Sequence, residues 1–440
     1  MYRYGPDEIE KQTQNYGIEY EKIKHELDKA HYGDMINSPF YADAVYPQFS
    51  GQEYERRFLV TRQKMERLGL DCLVVGGAPS HWNYGGAMTW LTGHVEWHAM
   101  AVYVVVPLVG EPTLVYSMGG THIEATRRAV YTKDVRPSGR GNFGDVIGDV
   151  IIEKGLDKGV IGLPLIDPRF KDYMPVNDYR QMLDKLPNAT FKRVGDFFHE
   201  FIVVKSPEEQ AWVIRAGNLM ARAIEAMTEA ARPGVTDYEL KSAAGYAIME
   251  GGGHIDFLIL SSTPMDNPSL VFGNPRPSER VLQKGDIIIN ELAAGFNGYS
   301  AQIGVPICVG EPTPKIRKMF DEVVLPVYQR MAAKVAPGNT LYEVWEEGKF
   351  IREMGYQSRP GHMHGMDWVT HSPGVGVVGP YWEDDMDIVL KPGTLHMLEP
   401  NPITPDGMLG LFFGHTLLVT TDGNRRVTDR LPLQLMISDV

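Results

Sequence analysis

Short apolar runs alternate with segments whose apolar residues recur at helical spacing, beginning at Glu53. Glu53–Leu68 predicts a helix, Asp71–Val75 a buried strand, Ala101–Val106 and Pro112–Tyr116 two more, Gly144–Lys154 a helix and Val160–Leu163 a strand. Such an order predicts an α/β unit around a central sheet, spanning residues 51–203. The pattern then changes. Ser206-Pro207-Glu208-Glu209 places a capping serine, a first-turn proline and a glutamate at the third position ahead of a long helix, Pro207 to about Ala231. The turn Arg232-Pro233-Gly234-Val235-Thr236 leads into a second helix, Asp237–Glu250. Later, a helix predicted over Pro314–Val335 is followed by Ala336-Pro337-Gly338-Asn339-Thr340 and a helix over Leu341–Met354. Two helix, Pro-Gly turn, helix units predict an internally duplicated α+β domain over residues 204–440.

Residues 1–50 are polar and aromatic, with helical character at Asp7–Lys29, and read as an arm or a partner contact. The chain has 440 residues, 43% hydrophobic and 22% charged, which suits an ordered protein with a sizeable core. Its formal net charge of -13 opposes binding to nucleic acid or to an anionic membrane. The most apolar run after the N-terminus, Met100 to Gly110, is about half of the ~20 residues a membrane span needs and carries Pro107. Cys72 and Cys308 cannot build a disulfide framework, and no signal-peptide pattern opens the chain, so a cytoplasmic location is expected.

Candidate chemistry starts at Gly285-Asp286-Ile287-Ile288-Ile289, which predicts a strand running into Asn290–Gln302, a strand-turn-strand pattern around Asn297-Gly298. Further on stand His364-Gly365, Leu398-Glu399-Pro400 and the closing Leu418-Val419-Thr420-Thr421-Asp422-Gly423. Taken in order with Val204-Lys205-Ser206-Pro207-Glu208-Glu209 and the Pro-Gly turns, these segments resemble the pita-bread superfamily of creatinase, aminopeptidase P, prolidase and methionine aminopeptidase. The resemblance covers about residues 53 to 437 and implies a homodimer acting on a small-molecule substrate.

In the metallopeptidase branch of that superfamily, five side chains hold two divalent ions. The resemblance carries those positions onto Glu291, Gln302, His364, Glu399 and Gly414. Two hard cations need anionic oxygens, yet one bridging position is a neutral amide and another has no side chain. No metal cofactor is therefore expected. The alternative is a single divalent ion on Glu291, His364 and Glu399, with His415 lending a nitrogen if the strand register shifts.

What remains suits acid-base chemistry. His364 and His371 keep the separation of the superfamily's two histidines, and with Glu399 and Glu291 they are the candidate catalytic residues. Gln302, Tyr299, Trp90, Trp97, Phe272 and Trp368 are the candidate substrate-binding residues. Two departures matter. The histidine that creatinase and aminopeptidase P carry before the Gly-Asp strand is Phe272 or Gly273 here, and Gly304-Val305-Pro306 lacks the arginine that would hold a substrate carboxylate. His254 with Asp256 is one candidate for a relocated base. The leading expectation is a creatinase-like, metal-independent hydrolase or lyase of a small polar, nitrogen-bearing or aromatic substrate. The alternatives are a single-metal hydrolase or lyase or an Xaa-Pro peptidase-like enzyme, and a non-catalytic binding protein.

Overall fold

The structure is a computed structural model and describes residues 46–77, 86–95, 101–119, 121–138, 141–164, 174–195, 197–359, 361–366, 374–375 and 386–440. Most of the arm, and the candidate residues Trp97, Trp368 and His371, lie outside the described residues.

Helix α1 (Gly51–Leu68) opens the first unit. Ser50 caps it by accepting from the Glu53 amide, and Gly69 ends it in the left-handed conformation at φ 64°. The strands β1 (Cys72–Gly77), β2 (Val102–Pro107), β3 (Thr113–Tyr116), β4 (Asp134–Pro137), β5 (Val160–Leu163) and β6 (Thr190–Arg193) form a mixed sheet in the order β4-β3-β2-β1-β5-β6. The period-two alternation is visible in the core. Leu73, Val75, Val104 and Val106 join one apolar cluster, while Cys72, Val74, Tyr103 and Val105 join another. Helix α2 (Gly86–Thr92) covers the first face, and helices α3 (Phe143–Glu153) and α4 (Val176–Lys185) the second.

The second unit begins with α5 (Pro207–Ala230), whose Ser206–Glu209 capping box forms as its sequence requires. After α6 (Asp237–Glu250) come β7 (His254–Pro264), β8 (Asp286–Phe296), β9 (Tyr299–Gly304) and β10 (Ile307–Val309). The sheet continues through β11 (Met363–Gly365), β12 (Gly374–Val375), β13 (Leu395–Leu398), β14 (Gly414–Val419) and β15 (Met436–Ser438). Their order is β12-β11-β13-β14-β9-β8-β10-β15, with β7 added alongside β8. Helices α5 and α6 pack against β7, β8 and β9.

The duplication is plain at the turns. Gly234 and Gly338 both take a positive φ, 95° and 88°, and each turn delivers a threonine whose amide donates to a glutamate three residues on: Thr236 to Glu239 and Thr340 to Glu343. One expected element is interrupted. Pro314–Val335 does not form a single α-helix: α7 (Pro314–Met319) and α8 (Leu325–Lys334) flank a π-helical turn at Phe320–Val324. Pro326 has no N–H to give to the preceding turn, and the wider turn absorbs the missing bond. Helix α9 (Leu341–Gly348) follows the second turn.

The two units share one apolar cluster and a buried polar knot. Arg57 of α1, almost fully buried, meets Glu209 of α5 at 3.2 Å and Glu53 at 2.7 Å. Its guanidinium also donates to the Trp90 carbonyl at 2.6 Å and to the Tyr299 hydroxyl at 3.1 Å. Tyr299 and the Trp90 indole in turn donate to Glu209, at 2.8 and 3.1 Å. A buried cation needs such a complete set of acceptors.

Candidate active site

The hairpin of β8 and β9 closes through Asn297 and Gly298, both at positive φ, 47° and 83°. That is the turn whose twist matches the strands it joins, which is why Asn-Gly is such a strong hairpin signal. The resulting register pairs Ala293 with Gln302, so Glu291 and Gln302 become diagonal neighbours on one face. Glu399 follows β13 directly, and its amide donates to the His362 carbonyl at 2.7 Å. His364 on β11 pairs with Met397 of β13. Three separate stretches of chain thus supply one polar floor.

At that floor the Gln302 amide nitrogen donates to Glu291 Oε1 and, at 3.1 Å, to Glu399 Oε2. His364 Nε2 lies 3.8 Å from Glu399 Oε1. The other ring nitrogen, Nδ1, is 3.0 Å from the Gly365 carbonyl, which can only accept. A proton on Nδ1 therefore leaves the Nε2 lone pair toward Glu399. Burial pushes the Glu291 carboxyl up to about 7, against the pull of the Arg359 guanidinium. Burial also pushes Glu399 well above the carboxylate range; the Glu291 charge adds to this and Arg359 opposes it. Two buried acids this close favour a state in which only one is ionised.

The substrate-facing candidates separate. Gln302 is part of the floor, with its Oε1 buried and without a hydrogen-bond partner. Phe272 lies against it indirectly: its ring carries the Arg359 guanidinium 3.6 Å above its centre and packs edge-on against Phe412. Trp90 and Tyr299 do not shape walls there. They are 0% and 3% exposed and locked into the Arg57–Glu209 knot between the units, since an indole N–H and a phenol both need a partner once buried.

Two other expectations fail on geometry. His254 pairs with Gly295 on β8 while Glu291 pairs with Ile259, about 14 Å further along the strand at ~3.4 Å per residue. His254 Nε2 accepts from the Gly298 amide at 2.8 Å, and Asp256 sits 3.2 Å from its Nδ1, so the pair braces the hairpin turn. His415 stays in register, opposite Ile303, with Nδ1 2.7 Å from the Thr428 hydroxyl and its ring against Tyr328 and Phe413. It does not reach the floor.

In the sequence Arg359 is an isolated arginine between Ser358 and Pro360 and carries no motif. Its position five residues before His364 is the one signal that could have drawn attention to it.

Residues 211–421 match the family described as Metallopeptidase family M24. An Xaa-Pro dipeptidase of Pyrococcus furiosus is 27% identical over 247 residues, covering 54% of this chain and 66% of that protein. An uncharacterized hydrolase/peptidase of Sinorhizobium fredii is 25% identical over 414 residues, 88% of this chain and 97% of that one. Among solved structures, the X-Pro aminopeptidase from Thermotoga maritima superposes with a TM-score of 0.71 at 18% identity, covering 87% of this chain and 99% of that one. A prolidase from Thermococcus sibiricus gives 0.70 at 20% identity, covering 89% and 100%. These likenesses establish the two-unit fold.

The expectation that no metal is involved is overturned by the match to a metallopeptidase family. The residues at the five carried-over positions nonetheless do not fit a pair of ions. The Gln302 N–H group points at both glutamates from the place where a bridging anion would be needed. At position 414 a Cβ would come 2.6 Å from the Leu398 carbonyl oxygen, so no longer side chain enters without moving the backbone. Among the described residues no three His, Cys, Asp or Glu groups converge as a metal site.

Proposed function

We propose that this chain, a divergent member of the pita-bread superfamily, hydrolyses the C–N bond of a small peptide-like substrate of the Xaa-Pro type. The observation that carries the reading is the buried floor itself: two glutamates joined through one amide, with a histidine lone pair facing the second. Hydrolysis needs a base to take a proton from water as its oxygen attacks the carbonyl carbon, and an acid to give a proton to the departing nitrogen. The His364 Nε2 lone pair and the ionised member of the glutamate pair supply acceptors. The neutral carboxyl of the same pair supplies the donor. Gln302 keeps the two carboxyls in register, and its unpartnered Oε1 is an acceptor for an N–H of the substrate.

The relatives named as Xaa-Pro dipeptidases support a peptidase rather than a lyase or a creatinase-like reaction. Among the described residues the donor set at the floor, with the Gln302 amide between two glutamates, does not fit a pair of ions.

The test is proline release from a panel of Xaa-Pro dipeptides, with and without added divalent cations, by the wild type and by Glu399→Gln and His364→Ala. Release by the wild type, with a fall of about 10²–10⁴-fold in kcat/KM for either variant, is the expected result for loss of a general acid or base. Proline release from no dipeptide under either condition overturns the reading.

A further inference from the structure

Helix α8, strand β14 and the short strand Asn424–Arg426 beside it share a layer of aromatic rings. His415 packs against Tyr328 and Phe413, with ring centres 5.6 and 5.1 Å apart, and Phe413 packs edge-on against Tyr328. Leu417 pairs with Arg426 and Val419 with Asn424, which makes Arg426 a diagonal neighbour of His415 on the same face of the sheet. Thr428 continues that face, its hydroxyl 2.7 Å from His415 Nδ1.

Three polar atoms of this layer are buried without a hydrogen-bond partner among the described residues: Tyr328 Oη, His415 Nε2 and Arg426 Nη1. All three can donate. Burial, and after it the Arg426 charge, holds His415 well below its ordinary value, so the ring is neutral and carries one N–H. With the Thr428 hydroxyl donating to Nδ1, that proton sits on Nε2. Burial pushes the Tyr328 hydroxyl up against the pull of Arg426, so it keeps its proton too. Asp429 does not fill the gap: its carboxylate is held by Arg425 at 3.0 Å, and its backbone carbonyl meets Arg426 at Nη2, 3.5 Å away. The layer therefore combines one positive charge with three buried donors and no acceptor. Buried donors need an acceptor, and a buried cation needs a counter-charge. A water molecule would accept from the donors but bring two hydrogens that need acceptors of their own. A halide ion takes the donors, returns none and cancels the charge.

We propose that Tyr328, His415 and Arg426 form a binding site for a small monovalent anion of the size of chloride, which clamps β14 to α8. The site is separate from the Glu291–Gln302–Glu399 floor, and it stands whether or not the chain is a peptidase.

The experiment is thermal unfolding of the full chain at fixed ionic strength in sodium chloride, sodium bromide or sodium gluconate, the last supplying an anion too large for the site. An anion that binds only the folded state raises the midpoint, so chloride at about five times its Kd shifts it upward by about 2–4 °C relative to gluconate. Bromide acts in the same way, and in crystals grown with it the anomalous signal lies between the three side chains. Arg426→Gln removes the shift. Tyr328→Phe deletes one donor and moves the chloride titration to about ten-fold higher concentration; it carries the test if Arg426→Gln does not fold. Equal midpoints in chloride and gluconate, a shift that survives in Arg426→Gln, a titration unchanged in Tyr328→Phe, or bromide absent from this place overturns the proposal.

Discussion

The side-chain amide of Gln302 donates both to Glu291 and to Glu399, occupying the point where the two carboxyls would otherwise repel each other. Neutral donors satisfy a pair of acids without adding charge. This arrangement explains how the floor stays assembled with two glutamates and one histidine 3.8 Å from the second.

The first prediction follows from that amide. Gln302→Glu replaces a donor by a third acid and leaves buried oxygens without partners, at a cost of about 1–3 kcal/mol per group. Thermal unfolding of this variant occurs at a lower temperature than in the wild type, and added Mn²⁺ raises it again, with ion uptake seen by mass spectrometry of the metal. A variant as stable as the wild type that takes up no more Mn²⁺ than it does contradicts this account.

The second concerns pH. Glu291 titrates at about 7 in the folded chain, against an ordinary value of 4.5. Below 4.5 both folded and unfolded chains hold the proton, so the group contributes no slope. Between 4.5 and about 7 the folded chain keeps a proton that the unfolded chain has released, so this group makes stability fall as pH rises; above that the penalty is constant. Glu291→Gln removes the term, and the difference between its urea midpoints and those of the wild type widens across that window and then levels off. A pH-independent difference would show that Glu291 ionises normally.

The third addresses the knot between the units. Arg57→Met leaves the fully buried Glu209 without its close cation, while Glu53 keeps the Arg56 guanidinium at 2.7 Å, and costs about 3–5 kcal/mol of stability, the scale seen when one member of a buried pair is removed. Adding Glu209→Gln recovers part of the loss. Chemical denaturation of the two single variants and the double variant measures the coupling; simple additivity would mean that the two side chains stabilise the interface independently.

The fourth separates the hairpin brace from the chemistry. His254→Ala removes the acceptor of the Gly298 amide and lowers stability, while kcat/KM stays within the same order of magnitude. A loss of turnover as deep as that of His364→Ala would return His254 to the mechanism.

Much of this protein was legible along the chain because the physics involved is local. Capping boxes at Ser206, Thr236 and Thr340, left-handed glycines at 234 and 338 and the Asn297-Gly298 turn each depend on a few adjacent residues. Glu291, Gln302 and Glu399 come forward only through the resemblance to the pita-bread superfamily, while the Asn297-Gly298 turn sets the register that puts Glu291 and Gln302 on one face. What sequence could not decide was which polar side chains end up against which partners across the fold. Trp90 and Tyr299 offered aromatic rings suited to a pocket, but packing of α1 and α2 against α5 buried them around Arg57. The helix over Pro314–Val335 had the right period, yet Pro326 left one hydrogen bond unmade and the turn widened. Arg359 became visible only once Phe272, 87 positions earlier by their numbers, was brought beneath it. Periodicity reports which face of an element is apolar; contacts between residues far apart in the chain arise only when the sheets close and each buried polar group must find an acceptor or donor.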